Sequence, residues 1–264
     1  MKKILTLLVS ALIVLSLTAC SSKDEGGSAI DKIKAKGELV LLTESGFPPF
    51  EYASDEEGSV DGVYGVDIEF GKLLAEKLGV TLKVTDMDFD SLTIALAAGK
   101  GDIIAAGITN NPERAEVVNF SKTYFDNGLF VIVHKDSDIK SVKDLEGKKI
   151  AVQQGTTGND YADKIENAEP QLFKGMVEAG LAVNNKNADA SIMDKLTAQI
   201  VVSNNPNLIL LDDAVESEET AIAVAKGNDD LLELVNEVLT ELQDSGQLQK
   251  WFDKHFDALL KDNQ

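Results

Sequence analysis

Apolar positions along this chain follow two alternating periods. Leu39-Val40-Leu41-Leu42, Ile103-Ile104-Ala105, Leu129 to His134 and Ile150-Ala151-Val152 are short continuous apolar runs, the pattern of strands buried on both faces. Segments of helical period lie between them: Ile30 to Lys36, Asp67 to Leu78 with Phe70, Leu73, Leu74 and Leu78 on one face, and Leu92 to Ala98. Gly37, Gly79 and Gly99 close these segments, and Val80 to Val84 alternates as a strand. The order β-α-β-α-β up to Ala105 predicts a mostly parallel sheet flanked by helices, with ligands beyond the carboxyl ends of its strands. Gly58 to Gly62 reads as a hairpin turn, and Lys143 to Gly147 as a short helix and its stop. Further on come strands at Ala188 to Asp194 and Thr220 to Val224, then an amphipathic helix from Leu231 to Gln243. A last helix carries Leu248, Trp251, Phe252 and Phe256 as core.

The loops after the predicted strands carry the chemistry. Thr43-Glu44-Ser45-Gly46-Phe47-Pro48-Pro49-Phe50 is made rigid by two prolines. The strand at Ile103 delivers Gly107, Thr109 and then Arg114, the chain's only arginine; every other basic residue is lysine. Asn111 has the chemistry of a helix N-cap and Pro112 that of a first helical residue, which puts Arg114 in the first turn. A cation there opposes the helix dipole at a cost of roughly 0.3–1 kcal/mol, sensible if an anion shares the space. The planar fork of a guanidinium matches a carboxylate. The local pattern equally admits a surface arginine paired with Glu113 or Glu116. Gln153-Gln154-Gly155-Thr156-Thr157-Gly158 precedes a helix around Tyr161 and offers backbone N–H groups to an anion, although glycine and threonine occur in any strand-to-helix turn. Asp194 ends its strand as either a site carboxylate or a solvated surface one.

The amino terminus follows neither period. Lys2 and Lys3 precede an apolar run from Ile4 to Leu17 and the sequence Leu17-Thr18-Ala19-Cys20, so residues 1–19 read as a secretory signal, too short for a stable transmembrane helix. Cys20 is the only cysteine, which excludes an internal disulfide, and its setting resembles the bacterial lipobox, in which the thiol is lipidated. Each buried acyl CH₂ is worth about 0.8 kcal/mol, enough for a multiply acylated Cys20 to anchor the chain. Residues 20–28 then form the lipidated terminus and a polar, glycine-rich tether reaching roughly 15 Å. The formal charge of −20 argues against nucleic acid or anionic lipid as partners. His134 and His255 are too few and too isolated for a zinc site. Asp86, Asp88 and Asp90 begin a calcium-loop spacing, but Ser91 and Ala97 occupy the glycine and glutamate positions. No phosphate-binding loop, dinucleotide fingerprint or nucleophile elbow occurs, so neither cofactor nor metal is expected.

Five motifs in order, Phe47-Pro48-Pro49-Phe50-Glu51, Tyr64 to Glu69, Ala106-Gly107-Ile108-Thr109 with Pro112-Glu113-Arg114, Gln154 to Gly158, and Ala188-Asp189-Ala190 with Asp194, resemble family 3 extracellular solute-binding proteins, the polar amino-acid receptors of ABC importers. The resemblance covers nearly all of the chain after Cys20. It implies a two-lobed, type II periplasmic-binding-protein-like α/β fold, each lobe a mostly parallel sheet flanked by helices. Residues 29–125 plus 219–264 would form lobe 1 and 126–218 lobe 2, with crossovers near Asp126 to Gly128 and Glu218 to Thr220. It further implies that Arg114 and Thr109 hold the ligand α-carboxylate with the backbone at Gly107 and Thr157, and that Asp194 takes the α-ammonium. Phe47 and Phe89 would cover the side chain while Glu44 and Gln153 reach its polar end. Asn110-Asn111 replaces the family's isoleucine-threonine pair, and Glu169 to Asn187 departs from the family pattern.

The implied activity is binding rather than catalysis. An exported, lipid-anchored monomer would close on an amino acid and present it to a membrane permease whose ATPase is a separate chain. The candidate side chains offer no second cation, so the ligand is expected to be an uncharged polar or basic amino acid, not an acidic one. Two other readings are a cyclohexadienyl-dehydratase-like enzyme with Glu44 as general acid, and a surface adhesion or signalling lipoprotein.

Overall fold

The computed structural model describes residues 27–261; the expected signal peptide, Cys20 and most of the expected tether lie outside the described residues. Helix α1 (Ala29–Lys36) starts at a capping box in which the Ser28 hydroxyl accepts from the Asp31 N–H and the Asp31 carboxylate accepts from the Ser28 N–H. It stops at Gly37 with φ 73°. Strand β1 (Glu38–Thr43) follows, then a three-stranded meander of β2 (Gly46–Phe47), β3 (Glu51–Ala53) and β4 (Val63–Tyr64) that folds the proline loop over the strand end. Helix α2 (Val66–Leu78) leads to β5 (Thr81–Asp86), parallel to β1, and α3 (Leu92–Ala97) to β6 (Ile103–Ile104), also parallel to β1. The sheet order is β5-β1-β6-β14-β7, in which β14 (Ala223–Ala225) alone is reversed, antiparallel to both β6 and β7 (Val118–Phe120).

The second sheet is built on β9 (Lys149–Gln153), flanked in parallel by β10 (Glu169–Phe173) and β11 (Ala190–Asp194). The long strand β8 (Phe125–His134) runs antiparallel to β11 and also receives β12 (Leu208–Leu210) and β13 (Glu216–Thr220), both antiparallel. This sheet is therefore mixed, for a simple reason: the chain enters this half of the molecule along β8 and leaves beside it along β13, so the two must run in opposite senses. The helices are α5 (Thr157–Ala162), α6 (Met176–Asn184) and α7 (Lys195–Asn204). Periodicity leaves α6 and α7 without a signature. Met176, Ala179, Gly180, Ala182 and Val183 are all buried, so α6 has no wide polar face to give it a period.

The two expected crossover segments are one antiparallel ribbon. Phe125 pairs with Thr220, Asp126 with Glu219, Asn127 with Glu218 and Gly128 with Ser217. On its other side the ribbon holds the loop after β6: Thr109 bridges Thr220, the Ala221 N–H donates to the Ile108 carbonyl at 3.0 Å, and the Asn110 N–H to that of Glu219 at 3.2 Å. The closing helices α8 (Asp229–Asp244) and α9 (Gln247–Lys261) return the chain to the first sheet, α8 against α1 and α9 across α2 and α7. Phe252 on α9 packs against Phe125 and Phe50, with ring centroids 4.3 and 5.1 Å away, which seals the ribbon with aromatic contacts. No helix among the described residues is long and apolar enough to cross a membrane.

Gly65 joins the meander to α2 at φ 134°, and a Cβ there would lie 2.1 Å from the Phe50 carbonyl oxygen. Both the conformation and the space exclude a side chain, so Gly65→Ala is expected to remove roughly 3 kcal/mol or more of stability in urea unfolding. An unchanged midpoint would show that this junction relaxes freely.

Candidate functional site

Arg114 is delivered by a short, well-capped element. Asn111 caps α4 (Pro112–Val117) by accepting the Arg114 N–H at 2.8 Å, and Pro112 opens it, as the sequence pattern predicts. The helix has only six residues, so Arg114 belongs to its last turn as much as its first and the dipole argument loses its force. What matters is the guanidinium's position. It donates to the Thr109 carbonyl at 2.8 Å and to the Gly155 carbonyl of the second lobe at 2.9 Å, and it lies over the Phe89 ring at 5.3 Å. Two of its five N–H donors are used in this way, leaving three. Burial lowers its pKa, opposed by the nearby carboxylates Glu218, Asp160, Asp194 and Glu113.

Eight of the nine candidate residues, Phe47, Phe89, Gly107, Thr109, Arg114, Gln153, Thr157 and Asp194, line one narrow recess between the two sheets, with Ala106, Thr156 and Met176. It has room for only about 10 Å³ of water-sized spheres, far below the roughly 300 Å³ and upward of ligand pockets, so an amino acid would enter only if the lobes part. The ninth, Glu44, stands behind it: the Gln153 side-chain amide donates to the Glu44 carboxylate at 2.8 Å and to the Lys174 carbonyl at 2.8 Å. A more open groove behind the ribbon, lined by Phe125, Asp126, Phe130, Lys195, Glu216 and Ser217 among others, holds none of the nine candidate residues. The lobes also meet through the Thr197 hydroxyl on the Pro48 carbonyl at 2.7 Å, the Gln154 amide on Asp90 at 2.7 Å and the Lys174–Asp88 ion pair.

The electrostatics of the recess are acidic. Burial raises the Asp194 carboxyl well above its ordinary value, with neighbouring Glu218 adding to the effect and Arg114 opposing it. The Asn127 amide donates to Asp194 at 2.6 Å, while its own oxygen is buried without a partner. Glu218 is raised by burial as well, and accepts from the Thr109 hydroxyl at 3.2 Å and from Thr157. Glu44 is raised to about 7, first by burial and then by Asp86 and Glu178, against the lowering effect of Gln153. No ion pair to Glu44 forms among the described residues, and no cluster there is suited to a metal ion. Periodicity and motif reading pass over Asn127 and Glu218. The signal available for both was the crossover assignment, since residues facing each other across a ribbon share a face.

A second acidic group supports the recess from below. The Phe47 ring packs on Gly107, where a Cβ would come within 1.9 Å of it, and Phe47 stacks on Phe50 at 4.7 Å. Gly107, at φ 54°, donates its N–H to the buried Asp67 carboxylate at 3.0 Å, and the Tyr124 hydroxyl donates to the same carboxylate at 2.7 Å. Fully buried Glu51 faces Asp67 with neither of its oxygens bonded to any other donor. Burial, then the Asp67 charge, raises Glu51 well above the usual range, so it stays protonated and donates to Asp67. Asp67 thereby holds the loop that shapes the recess.

Two lobes joined by a paired ribbon and enclosing a recess with one guanidinium and several carboxylates define a binding protein of the periplasmic type. The chain belongs to the bacterial extracellular solute-binding proteins, family 3, whose model matches residues 39–258. It is 33% identical over 265 residues to the arginine-binding extracellular protein ArtP of Bacillus subtilis (strain 168), covering 97% of this chain and 98% of ArtP. It is 29% identical to the L-cystine-binding protein TcyJ of Escherichia coli (strain K12), over 93% of this chain and 92% of TcyJ. The arginine-bound form of truncated ArgBP from T. maritima matches with a TM-score of 0.76 at 41% identity, covering 80% of this chain and 99% of that one. The family and these relatives are binding proteins, which sets aside the dehydratase reading of Glu44.

The Asp67 carboxyl titrates at about 6 in the folded chain, above its ordinary 3.8, because of burial. Folding therefore takes up a proton, and the stability this group contributes is full below about pH 4 and lost as pH rises through about 6. The full swing is at most about 3 kcal/mol. In Asp67→Asn, the fall in unfolding free energy between pH 4.5 and 7.5 is expected to shrink by roughly 1–3 kcal/mol relative to wild type. An unchanged slope in urea titrations would show that Asp67 is not the group responsible.

Proposed function

We propose that this protein is an extracytoplasmic receptor, anchored through a lipidated Cys20 after removal of residues 1–19, that closes on a basic amino acid such as arginine and hands it to an ABC importer permease with a separate ATPase. The observation that carries the ligand class is Glu44: a largely buried carboxyl beside Gln153, with acidic neighbours Asp86 and Glu178 and no cationic partner among the described residues. A cationic side chain supplies the missing charge. The recess as a whole sets Asp194, Glu218 and Glu44 against Arg114, so a ligand with net positive charge suits it better than a neutral zwitterion. The three unused donors of Arg114 are available to the ligand carboxylate, and Asp194 and the unpaired Asn127 oxygen to its ammonium.

The magnitudes favour enclosure between lobes. Micromolar affinity corresponds to about −8 kcal/mol. Arginine has about twelve heavy atoms, so each must return about 0.7 kcal/mol, which is high but within the bound for small ligands. Charged contacts reach such values when the site excludes water. The arginine-binding relatives support this reading, while the cystine-binding one makes an uncharged polar ligand the alternative to test.

Calorimetry with arginine, lysine, glutamine, cystine and glutamate is expected to give tight binding for the basic amino acids and none for glutamate. Arg114→Lys should weaken binding more than tenfold, because an ammonium cannot reproduce the fork. Glu44 titrates at about 7 before a ligand arrives, and a cationic partner pulls it back towards the ordinary range. Affinity for arginine should thus rise by more than tenfold from pH 5 to 8, with a proton released on binding near pH 6.5. Glu44→Gln should flatten that profile. Preference for glutamine or cystine with a flat profile would move Glu44 out of the ligand site, and no binding of any amino acid would sink the receptor reading itself.

A further inference from the structure

Glu218 has no role in the site expected from the sequence, yet it occupies a singular position. It is on the outgoing strand of the ribbon, directly opposite Asn127, so it faces the same side as Asn127 and hence Asp194. It is almost completely buried, and among the described residues Arg114 is the cation that acts on it. Its hydrogen-bond donors come from both halves of the molecule: the Thr109 hydroxyl from the loop after β6, at 3.2 Å, and the hydroxyl of Thr157, the first residue of α5. One hinge carboxylate therefore gathers a hydroxyl from each lobe.

A hydroxyl carries one proton and two lone pairs. Once that proton is given to Glu218, Thr109 and Thr157 present only lone pairs to the recess, and lone pairs repel a carboxylate but accept from an ammonium. We propose that Glu218 couples lobe closure to recognition of the ligand's amino group, by accepting the hydroxyl hydrogen bond of Thr109 from one lobe and of Thr157 from the other and so leaving both oxygens as acceptors toward the ligand. This rests on the amino-acid reading above and changes one part of it: the Thr109 and Thr157 side chains serve the ammonium, and only their backbone and Arg114 remain for the carboxylate. The arrangement has a cost consistent with a functional purpose, because two buried carboxylates, Glu218 and Asp194, are held beside each other without a lysine between them.

The test measures binding of L-arginine and L-glutamine, which share the amino group and differ in the side chain, to wild type, Glu218→Ala, Glu218→Gln, Thr109→Val and the double variant Glu218→Ala with Thr109→Val. Glu218→Ala is expected to weaken whichever of the two binds by tenfold or more, through faster dissociation with little change in association. Glu218→Gln, which keeps an acceptor oxygen, should lose less. The double variant should be within about twofold of the worse single one, since both remove the same bond. The melting temperature without amino acid should stay level or rise in Glu218→Ala and Glu218→Gln, an effect opposite to that of losing a structural residue. Losses that multiply in the double variant, binding by Glu218→Ala within twofold of wild type, or a lowered melting temperature in both Glu218 variants would each overturn the proposal. A wild-type protein that binds no amino acid, cystine included, would remove the receptor reading and this inference with it, whereas tight wild-type binding beside an unaffected Glu218→Ala removes the inference alone.

Discussion

One guanidinium spans the cleft, and the rest of the site is arranged around its charge. Arg114 reaches the Thr109 carbonyl on its own lobe and the Gly155 carbonyl on the other. It is the only arginine in the chain, and the carboxyls of Glu218, Asp194, Asp160 and Glu113 all act on it. A lysine has a single ammonium and would lack the planar fork that bonds two carbonyls and still has donors to spare. The price of gathering so many carboxyls is desolvation, visible in the upward shifts of Asp194, Glu218 and Glu44. Such groups destabilise a fold on their own and make sense where a ligand repairs the imbalance.

The scaffold below the cleft solves a different problem with the same residue type. Asp67, at the start of α2, is buried with Tyr124 and the Gly107 N–H as donors, and Glu51 contributes a proton rather than a second charge. A neutral acid beside a carboxylate donates to it and attracts, where two ionised carboxylates would repel. The result is rigidity where the ligand loop turns: Gly107 is fixed at φ 54° under the Phe47 ring, with no room for a Cβ. Among the described residues the chain passes from these rigid first-lobe groups to the second lobe only through the two paired strands of the ribbon.

The paired ribbon also explains why residues far apart in the chain work together. Asn127 and Glu218 are brought opposite each other by strand register, and Asp194 joins them because β11 pairs with β8 at Leu129. A slip of β13 by one residue along β8 would turn Glu218 to the other face and dismantle the acidic wall. Aromatic packing of Phe252 on Phe125 and Phe50 protects that register from the outside.

Much of this architecture was written locally. Apolar runs and glycine stops mark β1, α2, β5, α3 and β6 because each is a matter of period and conformational freedom within a few residues. The Asn111 cap, the lone arginine and the proline loop are likewise local chemistry, so Arg114, Phe47 and Gly107 were legible as site candidates before any contact was known. The buried helices α6 and α7 were not legible, since a helix covered on most sides has no polar face to record its period. Nor was the position of Glu218: in sequence it is one of 45 acidic residues in Asp and Glu, in a run of three acidic positions out of four. Only tertiary structure sets it apart, because burial, strand register and the convergence of Thr109 and Thr157 are properties of residues distant in the chain, and no local period encodes which carboxylates of an acidic protein will lose their water.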